Sequence, residues 1–260
     1  PRYPEFNFAA IFQGHADPLH RRGEEIGMVA QGNWRNAETY RYLKDLNSAE
    51  LAWEFLRRNS DYQREVAASD PSDDHAVAAL NAHWGLRFPD TSGLPATSAD
   101  IFWSPAVDPA AVILAPVVVP GLITATIAVD PISARSAEEG LYLRFVLAGE
   151  RFSAIALDGK APRGTVAVTT PVDPLLHDRV DALFRFRDAL VHHRATPDTR
   201  LTAQRRRHLI EMLRAIDGRR AGATYQDIAE AVFAAERDTA ISWKSMPLRH
   251  VVMRRVRTGF

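Results

Sequence analysis

The stretch RRRHLIEMLRAIDGRRAGATYQDIAEAVF, residues 205–233, decides how the rest of the chain is read. Leu209, Met212, Leu213 and Ile216 recur at i, i+3, i+4 and i+7, the spacing of one apolar helix face. Thr202 or Asp198 supplies the cap at the start of this helix. The pair Asp217-Gly218 predicts its end, because glycine accepts the left-handed conformation that closes a helix. After the turn RRAGA, Thr224 with Asp227 three residues on predicts a second capped helix. Its apolar face is Tyr225, Ile228, Ala229, Val232 and Phe233. Two short helices joined through a glycine-containing turn suit a helix-turn-helix scaffold.

A third helix begins near Ser245, with Pro247 tolerated in its first turn, and stops before Gly259. At the helical angular step, Leu248, Val251, Val252 and Val256 fall within an arc of about 140°, and Arg249, His250, Met253, Arg254 and Arg257 fill the opposite side. Arg255 projects into the apolar side, where it must snorkel outward or find a carboxylate. About ten residues, AAERDTAISW, separate this helix from the second, longer than a tight helix-turn-helix turn.

Charge supports a polyanion-binding end. Residues 201–260 hold twelve Lys and Arg against six Asp and Glu, a net +6, in a chain whose 32 basic and 32 acidic residues cancel. The preceding two hundred residues therefore carry −6. The bland alternative is a solvated basic surface. A guanidinium bonds bidentately to phosphate or to guanine, so three arginines on one helix side match what DNA contact requires. A basic amphipathic helix also suits anionic lipid, but here the valines and leucine are needed for packing.

Upstream of this end, Pro171 and Pro174 start a helix with the stripe Leu176, Val180, Leu183, Phe184 and Leu190, and ATPDTR connects it to the basic region. His192-His193 near its end is a dipole-facing or exposed pair and not a metal site. Before it, Pro and Gly punctuate Val- and Ile-rich runs at 112–119, 122–129, 141–148, 151–157 and 165–169. With hairpin signals at AGE and LDGK, these predict a small antiparallel sheet. In LYLRFVL, Leu141, Leu143, Phe145 and Leu147 alternate with Tyr142, Arg144 and Val146, the pattern of a half-solvated strand.

The N-terminal part reads as helical. In NWRNAETYRYLKDL, Ala37, Tyr40 and Leu43, with Leu46 one step off, share a face. Asn47 and Glu50 form a capping box opening LAWEFLRRN, where Leu51, Ala52 and Phe55 share a side. Trp53, Arg57 and Arg58 form either a stacking and phosphate-contacting surface or, more commonly, core and helix end. Asp73-Asp74-His75 opens a further short helix through Val77 and Leu80 and does not converge as an acid/base site. Trp84, Leu86 and Phe88 then clamp the helical layer. Residues 1–32 are read as a loosely ordered extension, and the absence of an initial methionine points to a true start further upstream.

The sequence contains no cysteine, which excludes disulfides, zinc fingers and thiolate iron–sulfur sites. No phosphate loop, dinucleotide fingerprint, nucleophile–base pairing or metal-ligand spacing is present, so the chain reads as non-enzymatic, without cofactor or metal. The longest apolar run is broken by Pro116, Pro120 and Gly121, which favours strands over a membrane helix. The reading is of a soluble cytoplasmic protein.

LLHDRVDALFRFRDAL, RRRHLIEMLRAIDGRRAGATYQDIAEAVF, Trp243 and LRHVVMRRVRTG resemble the DNA-binding domain of the RovC-like transcription regulators, a bacterial family linked to type VI secretion gene control. NWRNAETYRYLKDLNSAELAWEFLRRNSDYQREV with WGLRF resembles the transcriptional-regulator-like domain that often precedes it. The resemblance implies sequence-specific binding of double-stranded DNA, transcriptional control, RNA polymerase as a partner and a homo-oligomer. Relatives commonly continue beyond the position of Phe260.

The expected fold class is therefore α+β: an extension (1–32), a helical regulator-like domain (33–89), a small antiparallel sheet (90–170) and a helical DNA-binding domain (171–260, core 201–260). Arg249, Arg254 and Arg257 are expected as the main DNA contacts, supported by His250 and Lys244, with Arg205, Arg206, Arg219 and Arg220 gripping the backbone. The competing reading is a protein–protein interaction module whose basic end is only solvated.

Overall fold

A computed structural model of the chain describes residues 33–90, 93–117, 119, 121 and 126–233. It is α+β, with helices at both ends of the described chain and a six-stranded sheet between them. The described residues divide into two compact units that do not follow chain order: residues 33–80, 90–99 and 200–233 in one, 81–89 and 100–199 in the other.

The helical unit starts with a 3-10 helix, Ala37–Asp45, capped by Asn36, whose side chain accepts from the Glu38 amide. Nine residues is long for this geometry, and the spacing of three between the buried Tyr40 and Leu43 suits it. At three residues per turn Tyr40 and Leu43 eclipse and are buried, while Ala37 is exposed; Leu46, the extended residue that follows the helix, is buried as well. Helix α1, Ser48–Leu56, carries the expected capping box: the Glu50 amide donates to Asn47 Oδ1 and the Asn47 amide to Glu50 Oε2, both at 2.9 Å. Trp53 is core, with its indole N–H donating to Leu94 O at 2.9 Å and its ring edge-on to Tyr62 of α2, Ser60–Ala68. Helix α3, Asp74–Trp84, is opened by Asp73, whose Oδ1 accepts from the amides of His75 and Ala76. The DDH triplet is thus a helix cap.

The sheet unit orders its strands β2-β6-β1-β5-β4-β3, namely Thr126–Ile127, Gly164–Thr169, Val112–Pro116, Glu150–Ala156, Gly140–Leu147 and Ser133–Ala137. It is mixed, since β1 runs parallel to β5 while its other neighbour, β6, is antiparallel. The AGE signal marks a two-residue hairpin from β4 to β5, with Ala148 at φ +50° and Gly149 at φ +80° closing the Leu147–Glu150 pair. The LDGK signal does not make a hairpin: after it the chain crosses over so that β6 pairs with β1 and β2. Strand β3, SARSA, has no apolar alternation and was not foreseen; as an edge strand it is held by its backbone ladder to β4.

One face of the sheet packs against α4, Leu176–Val191, through Leu143, Phe145, Phe152 and Phe186. The stripe expected on α4 is rotated: Ala182, Phe186 and Ala189 are buried, and Phe184 is 58% exposed. The other face is also covered, because Tyr142 is buried with Phe102 and Ile155 and meets Phe88 edge-on. Strand β4 is therefore not half-solvated at Tyr142, and Leu86 and Phe88 belong with the sheet, Leu86 bridging to Trp103. Beside them Arg87 forks onto Glu139 at 2.6 and 2.9 Å, and Tyr142 donates to the same carboxylate at 2.6 Å.

The Arg87 hydrogen bonds hold the Glu139 carboxyl down at about 2, against the opposing effect of partial burial. A carboxylate depressed on folding stabilises the fold above its unfolded value near 4.5 and loses that contribution as pH falls through about 2. Acid titration of the melting temperature should show this loss between those values, and Glu139→Gln should remove that part of the pH dependence while lowering the melt at neutral pH.

Candidate nucleic-acid interface

Helix α5, Ala203–Arg220, and helix α6, Tyr225–Phe233, form the scaffold of the basic end. Thr202 caps α5, its hydroxyl accepting from the Arg205 amide. Leu209, Met212, Leu213 and Ile216 are buried as the spacing required. Gly218, however, does not stop the helix. It lies within α5, buried, and a Cβ there would meet Ile228 Cγ1 and the Trp34 ring at 3.1 Å. It is a point of close packing.

The left-handed residue is Gly222, at φ +78°. There the Ala223 amide donates to Gly218 O at 2.9 Å and the Gly222 amide to Arg219 O at 3.0 Å, the paired bonds of a Schellman closure. Two residues on, the Asp227 amide donates to Thr224 Oγ1 and the Thr224 amide to Asp227 Oδ2, an aspartate version of the capping box. Each helix end is thus settled by its own side chains and glycine, which gives a short, defined turn between α5 and α6.

Much of the arginine on α5 is engaged internally. Arg206 donates through Nη1 to the carbonyls of Leu43 and Leu46. Arg214, buried, donates to the carbonyls of Trp34, Arg35 and Ala231 at 3.0 to 3.1 Å, and burial pulls its guanidinium below the ordinary range. Arg219 donates to Ala223 O and lies 4.6 Å over the Tyr225 ring. Arg220 is half-buried and its guanidinium too is held below the ordinary range by burial, against the opposing charge of Asp217. Arg205 is partly exposed, with Nη1 3.4 Å from Arg200 O. Arg207, which the sequence reading left out of the site set, is the exposed arginine of this helix. Lys244, Arg249, His250, Arg254 and Arg257, and the third helix with them, lie outside the described residues.

The acid of α5, Asp217, is 3% exposed and accepts from Arg58 Nε at 2.9 and 3.1 Å and from the Tyr40 hydroxyl at 2.6 Å. Arg58 also donates to Glu54 Oε2 at 2.5 Å, where Arg57 Nε and the Tyr42 hydroxyl converge at 2.7 and 2.9 Å. The second Glu54 oxygen takes the Ala96 amide. Burial alone would raise the Glu54 carboxyl, but Arg58 and Arg57 hold it below its usual range. Burial and the Asp217 charge push the Tyr40 phenol far up, so it remains a proton donor. Arg57 and Arg58 are therefore core members of an ionic network, not a phosphate-contacting surface.

Among the described residues no helix is long and apolar enough to cross a membrane, and no group of three His, Asp or Glu is placed to hold a metal ion.

The roles on α5 can be separated by mutation. Arg206→Ala and Arg219→Ala each leave carbonyls without their donor and should cost about 1–3 kcal/mol of stability. Arg207→Ala should stay within about 0.5 kcal/mol of the parent. Urea unfolding of the three variants checks this order.

Two comparisons bear on these residues. Residues 169–260 match the RovC DNA-binding family, described as a T6SS transcription factor DNA-binding domain. Residues 33–89 match the proteobacterial transcriptional regulator-like domain. No curated protein matches the chain.

Proposed function

We propose that this chain, a transcriptional regulator with a RovC-type DNA-binding domain over 169–260 and a regulator-like domain over 33–89, grips double-stranded DNA through the basic run between Lys244 and Arg257. The single observation that carries this reading is that the DNA-binding family match spans both the capped α5–turn–α6 scaffold and that basic run. Arg249, Arg254 and Arg257 are the main contacts in this reading, with His250 and Lys244 beside them. A guanidinium meets a phosphate or a guanine edge with two parallel hydrogen bonds, so three arginines can both hold and read a duplex.

On α5 the reading is redistributed. Arg206 and Arg219 already donate to backbone carbonyls, and Arg220 is half-buried, which favours a supporting role for all three. Arg205 and the exposed Arg207 are better disposed to meet phosphate. The protein acts without catalysis, in the cytoplasm, as a homo-oligomer that engages RNA polymerase at genes of type VI secretion. A second reading, a protein-interaction module, draws on Phe184, a large apolar side chain 58% exposed on α4 within the same family match.

If about five phosphates are neutralised, log affinity should fall against log salt with a slope of about −4 to −5. Arg254→Ala with Arg257→Ala should reduce that slope by about 2 and weaken binding, with the melting curve unchanged. Fluorescence anisotropy with duplex DNA across a salt series measures both. A salt-independent affinity, or a collapse of melting in the double variant, would overturn the reading.

A further inference from the structure

The two family matches are separate segments of sequence, yet the side chains that seat α5 come from the regulator-like segment. Trp34 abuts Gly218, and the backbone carbonyls of Trp34, Arg35, Leu43 and Leu46 accept from Arg214 and Arg206. Tyr40 and Arg58 close on Asp217 from 177 and 159 residues away in sequence. Neither Arg58 nor Asp217 is more than 6% exposed. Withdrawing Arg58 would leave the buried Asp217 carboxylate without the guanidinium that is hydrogen-bonded to it.

We infer that residues 34–58 are a structural half of the DNA-binding unit: the regulator-like segment holds α5 in place within the same chain, and residues 169–260 do not form a DNA-competent unit without it. Three features of α5 require this. Its apolar face is completed by the 3-10 helix and α1 as well as by α6. Its one buried acid, Asp217, takes its side-chain hydrogen bonds from Arg58 and Tyr40, and Arg206 and Arg214 find carbonyl acceptors at Leu43, Leu46, Trp34 and Arg35. A ligand or partner that shifts the 3-10 helix or α1 therefore acts on the α5–α6 scaffold directly. The DNA-binding part of this inference rests on the function proposed above; the structural part does not.

Hydrogen exchange of the full chain, read segment by segment alongside DNA affinity, tests both parts. Arg58→Lys keeps the charge but loses the forked geometry. It should speed exchange by roughly tenfold or more in residues 34–58 and in α5 together, leave β4 and β5 unchanged, and weaken DNA binding in parallel. Arg58→Met combined with Asp217→Leu removes both charges at once and should recover part of the protection that either single change loses. If exchange rises everywhere, Tyr40→Phe, which removes one hydrogen bond to Asp217, decides by the same pattern. Faster exchange confined to 34–58, with α5 and DNA affinity untouched, overturns the inference. Joint loss of protection in a chain that binds no DNA would sustain the structural coupling and remove the DNA-binding reading alone.

Discussion

The pairing of Arg58 with Asp217 is the constraint on which the helical unit depends. Both groups are withdrawn from water, and a charge buried without its partner costs about 3–5 kcal/mol. The net gain over a well-packed apolar pair is small. What the pair does is penalise every arrangement in which α5 and the turn after α1 come apart. Glu54, Arg57, Tyr40 and Tyr42 extend the same principle: the two carboxylates are matched by two guanidiniums, and the phenols and the Ala96 amide take further acceptor positions. The network is nearly closed, the condition under which buried polar groups specify an arrangement without weakening it.

Around that network, close packing does the remaining work. Gly218 lets Trp34 and Ile228 approach α5 to a distance at which even a methyl group would have to displace them. Trp53 fills the centre of α1 and ties the 90–99 segment down through Leu94. In the sheet unit the corresponding role falls to Tyr142, buried against Phe102 and Phe88 and donating to Glu139 at its tip. In both units an aromatic side chain gives apolar area to the core and a single hydrogen-bond donor to an acceptor at its edge.

What was legible in the sequence was local. The capping boxes at Asn47–Glu50 and Thr224–Asp227, the Thr202 cap and the Ala148-Gly149 hairpin each depend on residues within a few positions of one another, and each is present. The apolar face of α5 was legible for the same reason. Among the features that were not are the 3-10 winding of 37–45, the polar edge strand β3, the crossover after LDGK, the rotation of α4 and the rank of Gly218 against Gly222. A spacing of three fits one 3-10 face or a drifting α-helical stripe, and only the partner surface selects between them. An edge strand needs one backbone ladder and no apolar alternation, so SARSA carries no signal.

The sequence by itself determined the starts of α1, α3, α5 and α6, the tight hairpin and the segregation of positive charge into residues 201–260, because backbone capping, left-handed turn geometry and net charge are properties of short stretches. Tertiary structure alone decided which of those charges are available. Arg57 and Arg58, which read as a basic helix end, are buried against Glu54 and Asp217, while Arg206, Arg214 and Arg219 face backbone carbonyls. The basic run at 205–233 that opened the reading is in large part a set of internal fastenings. The reason is physical: a guanidinium's partner is set by what lies within hydrogen-bond reach in space, and here those partners lie up to 180 residues away along the chain.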